Sequence, residues 1–367
     1  MSTAVTIGNA NDHSRLPSLD GLRALSIALV FFGHLVGTRN FGTPEVRIGS
    51  FHFGLEYSHL GVEIFFVISG FLITSLLIAE SNLHGKISIK RFYARRAVRI
   101  LPPNYAYISI LTIFALAGVI TVPVSDIWHA VAYVVNCFPG RTWALGHLWS
   151  LSVEEQFYLL WPLCFAICGT RRAAGCATAL FAAAFFARIL GGRLLAGTQY
   201  LDLPMFPMVA DSIAAGCLLA LLRTRLERYR AYLALFRPAP AAATLVIVLL
   251  LYHIESGHTV VASAAASCVS LGLAILIHRC VYQPDDRIGR ILNLRPVMFV
   301  GVLSYSLYVW QQPFLDRHSA ALIAAFPQNI FLAVAAAFGS YFLIEKPLFG
   351  LRKRLRGRDV MRAAAHA

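Results

Sequence analysis

Two ionisable side chains stand inside one apolar run. From Leu19 to Val36 the chain reads LDGLRALSIALVFFGHLV, long enough to cross a bilayer, with Arg23 toward one end and His34 toward the other. Eleven residues at about 100° each make three full turns plus about 20°, so the two share one helical stripe. Charge inside a membrane costs a few kcal/mol or more and is usually kept for a reason. Arg23 alone admits two readings, snorkelling to the near interface or a functional role. His34 is either a polar residue satisfied by a bond across helices or part of a site. The chemistry open to the pair is anion binding by a guanidinium and proton transfer by a neutral imidazole.

Other stretches supply further candidates. In HLWSLSVEEQFYLLWPLCFAIC, His147, Ser150, Glu154 and Tyr158 stand at i, i+3, i+7 and i+11, a polar stripe on an otherwise apolar helix. Such a stripe lines a cavity or meets polar groups on neighbouring helices. In KISIKRFYARRAVRILPPNY, Arg91, Arg95 and Arg99 follow the helical period with Arg96 beside them. That segment is either an interfacial helix that binds lipid and sets topology, or a site for an anionic ligand carrying several phosphates. Glu63 enters the apolar run GVEIFFVISGFLITSLLIAE, as an interfacial residue or as the partner of a buried cation. Asp211 lies in the middle of FPMVADSIAAGCLLALL, and Ser304, Tyr308, Gln311 and Gln312 cluster in SYSLYVWQQP.

These residues need helices in a bilayer to hold them. The 367 residues are 58% hydrophobic and 14% charged, with a mean hydropathy of +0.66, which is not the make-up of a soluble domain. The expected fold is all-α, a polytopic integral membrane helix bundle. About ten transmembrane helices are expected, near 19–37, 61–80, 104–122, 147–168, 174–192, 204–222, 239–255, 259–278, 297–315 and 325–344. Pro102 and Pro103 are expected to break the chain before the third of them. Residues 39–59 read as a loop, and 123–146 as an aromatic segment that partly re-enters the membrane. The formal charge of +14 fits basic loops gathered on the cytoplasmic side, with both termini there. No nucleic-acid-binding module accompanies that charge.

The domain reading is a cytoplasmic tail at 1–18, one membrane domain at 19–349 and a basic cytoplasmic tail at 350–367. The first apolar run is too long for a cleavable signal and is expected to stay as the first helix. The seven cysteines are odd in number and scattered. They suggest neither a disulfide framework nor a metal site, and Cys164 and Cys168, four apart on one face, read as core thiols.

Taken together and in order, LDGLRALSIALVFFGHL, GVEIFFVISGFLI, RFYARRAVRILPPNY, HLWSLSVEEQFYLLWP, ADSIAAGCLLA, GVLSYSLYVWQQP and the terminal IEKPL resemble the acyltransferase-3 family. These are membrane O-acyltransferases that modify bacterial surface glycans. The resemblance runs from Leu16 to about Arg352. It implies that an acyl group, usually acetyl, passes from acyl-CoA on the cytoplasmic side to a sugar hydroxyl, in the bacterial cytoplasmic (inner) membrane. It implies that Arg23 and His34 are essential and that Arg96 and Arg99 serve the CoA donor. Some relatives carry an added extracytoplasmic SGNH-type domain. Without one, the membrane core is expected to complete the reaction alone or with a separate polysaccharide-assembly partner. Gln311 stands where many relatives have histidine, so an imidazole role there falls away while hydrogen bonding remains.

Acyl transfer to an alcohol needs a base for the hydroxyl proton and a group to stabilise the oxyanion. His34 is expected to be the base or a transient acyl carrier, with Glu154 or Glu63 orienting its ring. Arg23 lies about 16 Å away along the axis at 1.5 Å per residue, too far to touch that ring. The distance suits a long donor whose phosphates are held by Arg23, Arg96 and Arg99, with Arg95 beside them, while its thioester reaches inward. His147, Ser150, Tyr158, Asp211, Tyr308 and Gln311 are expected to line the cavity. No metal and no permanently bound cofactor are expected; acyl-CoA is a substrate, and the acceptor is a lipopolysaccharide, exopolysaccharide, lipid-linked precursor or other exported glycan. The rival readings are a membrane transporter or a polysaccharide-export component without acyl-transfer chemistry.

Overall fold

The computed structural model describes residues 18–42, 46–48, 51–53, 57–254 and 257–348. The expected terminal tails, Ser18 apart, lie outside the described residues. The elements run α1 Leu19–Leu35, β1 Val46–Ile48, β2 Phe51–Phe53, α2 Tyr57–His84, α3 Ile89–Leu116, α4 Val124–Val131, α5 Trp143–Gly146, α6 Leu148–Leu194, α7 Phe206–Leu226, α8 Arg230–Ala234, α9 Pro238–Tyr252, α10 Val260–Tyr282, α11 Arg287–Leu292, α12 Arg295–Trp310 and α13 Gln328–Ser340, which continues as a π-helix over Tyr341–Glu345. Among the described residues five helices are long and apolar enough to cross a membrane: Tyr57–His84, Trp143–Leu194, Phe206–Leu226, Val260–Tyr282 and Gln328–Leu348. Pro238–Tyr252 is apolar but shorter.

Three local features differ from the sequence reading. Residues 39–59 are not all loop. They hold a two-stranded antiparallel hairpin that pairs Val46 with Phe53, Arg47 with His52 and Ile48 with Phe51, and α2 begins at Tyr57, so His59 is helical. Pro102 and Pro103 do not end a helix, because α3 runs through both. A proline removes one ladder bond, and in a bundle a neighbouring side chain can repair the ladder. The carbonyls those prolines orphan are at Val98 and Arg99, and Tyr305 of α12 holds the next one, donating to the Ile100 carbonyl at 2.7 Å. Third, the segment 123–146 folds as α4, a 3₁₀ turn at Val135–Cys137 and α5. Gln156 of α6 ties it down, donating to the Tyr133 carbonyl at 3.1 Å and to Asn136 Oδ1 at 2.9 Å.

The element α6 is two helices. Gly169 sits at φ 67°, ψ 169°, outside helical space. In one straight helix residues 164 and 176 would stand about 18 Å apart along the axis, yet their sulfurs lie within 4.8 Å. The halves therefore double back on each other at Gly169, ahead of Arg171 and Arg172. Glycine reaches that conformation without a Cβ penalty, which is why the turn falls there.

At the middle of the bundle α2 packs on α1, α6, α7 and α10. Its Phe66, Ile73 and Leu77 join one buried cluster with Phe157, Trp161, Phe165 and Ile213. Its Val67, Ile68 and Phe71 join a second with Leu219, Val248, Val269 and Leu273. The α2–α7 crossing is close enough to require glycine on both helices: a Cβ at Gly70 would fall 2.0 Å from the Ile213 carbonyl oxygen, and one at Gly216 would fall 2.0 Å from that of Val67.

Asp211 belongs to this framework. Rather than lining a cavity with the other candidates, it is buried in an ion pair with Arg188 of α6 at 2.7 Å, and it accepts a bond from Ser267 of α10 at 2.9 Å. Arg188 also donates to the Met208 carbonyl at 2.7 Å and to the Ser263 carbonyl at 3.0 Å. One guanidinium thus joins α6, α7 and α10, and removal of either charge would leave the other buried and unpaired. We expect Gly216→Ala to separate α2 from α7 and cost about 1–3 kcal/mol by overpacking. Thermal unfolding of the detergent-solubilised chain measures this, and an unchanged midpoint would contradict the crossing.

Candidate active site

The sequence candidates collect at two levels of the bundle. The first is the Arg23 level, built by α1, α2, α3 and α6. Arg23 pairs with Asp20 one turn earlier at 3.6 Å, and Arg99, Arg96 and Tyr158 lie within its electrostatic reach. Arg96 lays its guanidinium over the Tyr158 ring at 4.8 Å and near Phe92 at 5.8 Å, a stacking that a lysine point charge would not reproduce. Glu154 faces Arg23 and Arg96. Its Oε1 accepts from Ser69 Oγ of α2 at 2.5 Å, and Ser69 accepts in turn from the Tyr158 hydroxyl at 3.1 Å. Glu345, to which Ser306 donates, sits in the field of Arg99. Three guanidinium groups from two helices therefore meet around carboxylates that set their positions. Arg23, Arg96, Arg99 and Glu154 are all half-buried.

The second is the His34 level, where α1 ends and α5, α6 and α12 meet it. The His34 ring packs edge-on against Trp143, with centroids 5.6 Å apart. Trp143 is fixed by an indole bond to the Gln312 carbonyl at 2.9 Å and carries the Arg317 guanidinium on its face at 5.0 Å. His147 and His59 also lie within electrostatic reach of His34, and His59 stacks on Trp149 at 5.5 Å. His147 Nε2 meets the Val309 carbonyl at 3.2 Å, and its ring packs on Tyr107 and Tyr308 at 5.6 and 5.4 Å. Gln311 is fully buried beside His34. The Gln311 side chain lies within hydrogen-bonding reach of the His34 ring, and among the described residues Nδ1 of His147 is buried without a hydrogen-bond partner. A buried polar group left so costs about 1–3 kcal/mol, and this spot therefore suits a polar ligand.

A hydroxyl pair stands between the levels. The Tyr308 hydroxyl donates to the His147 carbonyl at 2.6 Å and lies 2.5 Å from Ser150 Oγ. Since the phenol has one proton, Ser150 must be the donor of the second bond. Tyr308 also feels Glu154, so the α6 stripe faces α12 at its His147 end and α1, α2 and α3 at its Glu154 end.

This placement separates the candidates. Arg23, Arg96, Arg99, Glu154 and Tyr158 come together, as do His34, His147 and Gln311. Glu154, however, is engaged by Ser69 and the arginines rather than by the His34 ring, so it is not that ring's orienting partner. Glu63 stands one turn beyond His59 on α2, with Oε2 buried. Arg95 turns instead to Glu80, at 3.3 Å. Asp211 is held by Arg188, away from both groups. The sequence reading passed over His59, Trp143, Arg317 and Ser69. A helical start before Leu60 would have put His59 four residues from Glu63 on one face, whereas Ser69 and Trp143 are marked only by the tertiary contacts. Among the described residues the group of three metal-capable side chains is Cys164, Cys168 and Cys176, and it shares no member with either level.

Residues 16–345 match the acyltransferase domain family. The chain is 28% identical to YrhL of Bacillus subtilis over 374 residues, covering 92% of this chain and 55% of YrhL. It is 25% identical to the peptidoglycan O-acetyltransferase OatA of Listeria monocytogenes, covering 90% of this chain and 54% of that protein, and 26% identical to the O-acetyltransferase OatA of Staphylococcus aureus, covering 91% and 57%. The chain spans about half the length of these curated relatives. No solved structure matches it. With nine-tenths of its length matched and its polar residues gathered on facing helices, the chain belongs to the acyltransferase-3 family.

Proposed function

We propose that the chain is a membrane O-acyltransferase that moves an acetyl group from acetyl-CoA to a hydroxyl of a cell-surface glycan. The observation that carries this reading is the pairing of an arginine cluster and a histidine site on the same helices, about 16 Å apart along α1. The relatives' names support the acetyl group, and two of the glycans most consistent with them are peptidoglycan and an exported precursor of it. In this reading the arginines hold the donor's phosphates as forked hydrogen-bonding partners, and the acyl end extends past Tyr308 to His34. The imidazole takes the acceptor's proton, the hydroxyl oxygen bonds to the thioester carbon, and the C–S bond breaks. The departing thiolate receives the proton from the imidazolium. The Gln311 amide, buried beside His34, is the donor proposed for the oxyanion.

The same reading sets the membrane arrangement. Ten helices cross, counting the two halves of α6 separately, and the Arg23 level faces the cytoplasm of a bacterial inner membrane with both termini on that side. The donor then enters from the cytosol and the acceptor meets His34 nearer the opposite face.

His34→Ala should reduce ester transfer to purified acceptor by at least about a thousandfold, the scale of a lost general base combined with lost positioning. Base-released acetate from proteoliposomes supplied with acetyl-CoA reads this, and transfer within about threefold of wild type would refute the base. Arg96→Lys and Arg99→Lys should each raise the KM for acetyl-CoA about tenfold, because a lysine loses the fork and, at position 96, the Tyr158 stacking as well. If both leave KM unchanged, the cluster is a topology signal alone. Solute flux that requires no acyl-CoA would favour a transporter instead.

A further inference from the structure

Four of the seven cysteines converge where α6 turns back, although they span 54 positions of sequence numbering between Cys164 and Cys217. Cys164 and Cys168 stand one turn apart on the first half of α6, and Cys176 returns to them on the second. The sulfurs of all three lie within 4.8 Å of one another, Cys176 and Cys168 being 3.6 Å apart. Cys217 of α7 lies near Cys164, outside the triad. All three triad thiols are half-buried. That leaves them reachable from outside while helix backbone fixes their spacing.

The thiols touch, Cys176 donating to Cys168, and the same spacing is one that ligands of a single ion adopt. A metal–sulfur bond of about 2.3 Å places sulfurs about 3.8 Å apart in a tetrahedral site and about 4.0 Å apart in a trigonal one. The Cys176–Cys168 separation of 3.6 Å is just under both values, and all three sulfurs lie within 4.8 Å of one another. We propose that Cys164, Cys168 and Cys176 form a three-thiolate site for one thiophilic d10 cation, which clips the two halves of α6 together across Gly169. On binding, three S–H bonds give up their protons to water as three metal–sulfur bonds form. Soft thiolate sets select Zn2+ or Cu+. Among the described residues no fourth His, Cys, Asp or Glu atom joins the group, so Cu+ would be three-coordinate and Zn2+ would complete its shell with water.

The site is independent of acyl transfer, and its test reads metal rather than activity. The full chain, purified in detergent under reductant and stripped with a chelator, is re-equilibrated with Zn2+ in one arm and Cu+ in the other. Bound metal is counted after gel filtration, and free thiols are counted by maleimide labelling and intact mass. The expected result is about one ion per chain in at least one arm, three fewer labelled thiols, and a higher unfolding midpoint in that arm than in the stripped protein. Cys168→Ser should lower bound metal at least about tenfold, while Cys268→Ser, at an exposed position on α10, retains it. If Cys168→Ser does not elute as a monodisperse species, Cys176→Ser and the thiol protection in the wild type decide. Less than about a tenth of an ion in both arms would overturn the proposal. So would equal binding by Cys168→Ser, or a reducible loss of two hydrogens that marks a Cys168–Cys176 disulfide.

Discussion

Polar side chains inside a hydrocarbon layer must be satisfied by one another, and the polar face of α6 is where most of this bundle's demand is met. His147, Ser150, Glu154 and Tyr158 occupy one stripe of the first half of α6. Each is engaged from another helix: His147 by the Val309 carbonyl, Ser150 by the Tyr308 hydroxyl, Glu154 by Ser69, and Tyr158 by Ser69 and Arg96. None of these side chains could face lipid at low cost. The stripe therefore dictates which helices surround α6, and those helices in turn bring Arg23 and His34 to its two ends.

Rigid packing away from the polar face makes that arrangement reproducible. Gly70 and Gly216 let α2 and α7 touch at backbone distance, and small-residue contacts of this kind are how helices associate where no hydrophobic force separates them from lipid. The Arg188–Asp211 pair fixes α6, α7 and α10 as a second unit. That ion pair joins three helices, whereas the arginines of α1 and α3 gather around Glu154 on the polar face of α6.

Much of this was legible in the chain because helical period survives in one dimension. The Arg23–His34 stripe, the α6 stripe and the grouping of Tyr308 with Gln311 follow from spacing alone. What was hidden depends on partners distant in sequence. Glu154 could have reached His34 or the arginines, and only the packing of α2, which brings Ser69, decides. Asp211 read as a cavity residue because Arg188, its partner, sits in an apolar alanine- and phenylalanine-rich stretch with no periodic signal. Pro102 and Pro103 read as a break because a partner that holds this part of α3, Tyr305 on the Ile100 carbonyl, lies two hundred residues later. The thiol triad was hidden by the reversal at Gly169, without which Cys176 would stand about 12 Å along the axis from Cys168, beyond reach of a shared ion.

The central claim is that one extended donor occupies both levels at once, phosphates among the arginines of α1 and α3 and acyl carbon beside His34. Photo-crosslinking with two acyl-CoA analogues tests it most directly, one bearing the reactive group on the nucleotide and one on the acyl chain. The nucleotide probe is expected to label α3 around Arg96 and Arg99, and the acyl probe to label the last turn of α1 with the neighbouring ends of α6 and α12. Labelling of a single level by both probes would contradict a donor that spans the two.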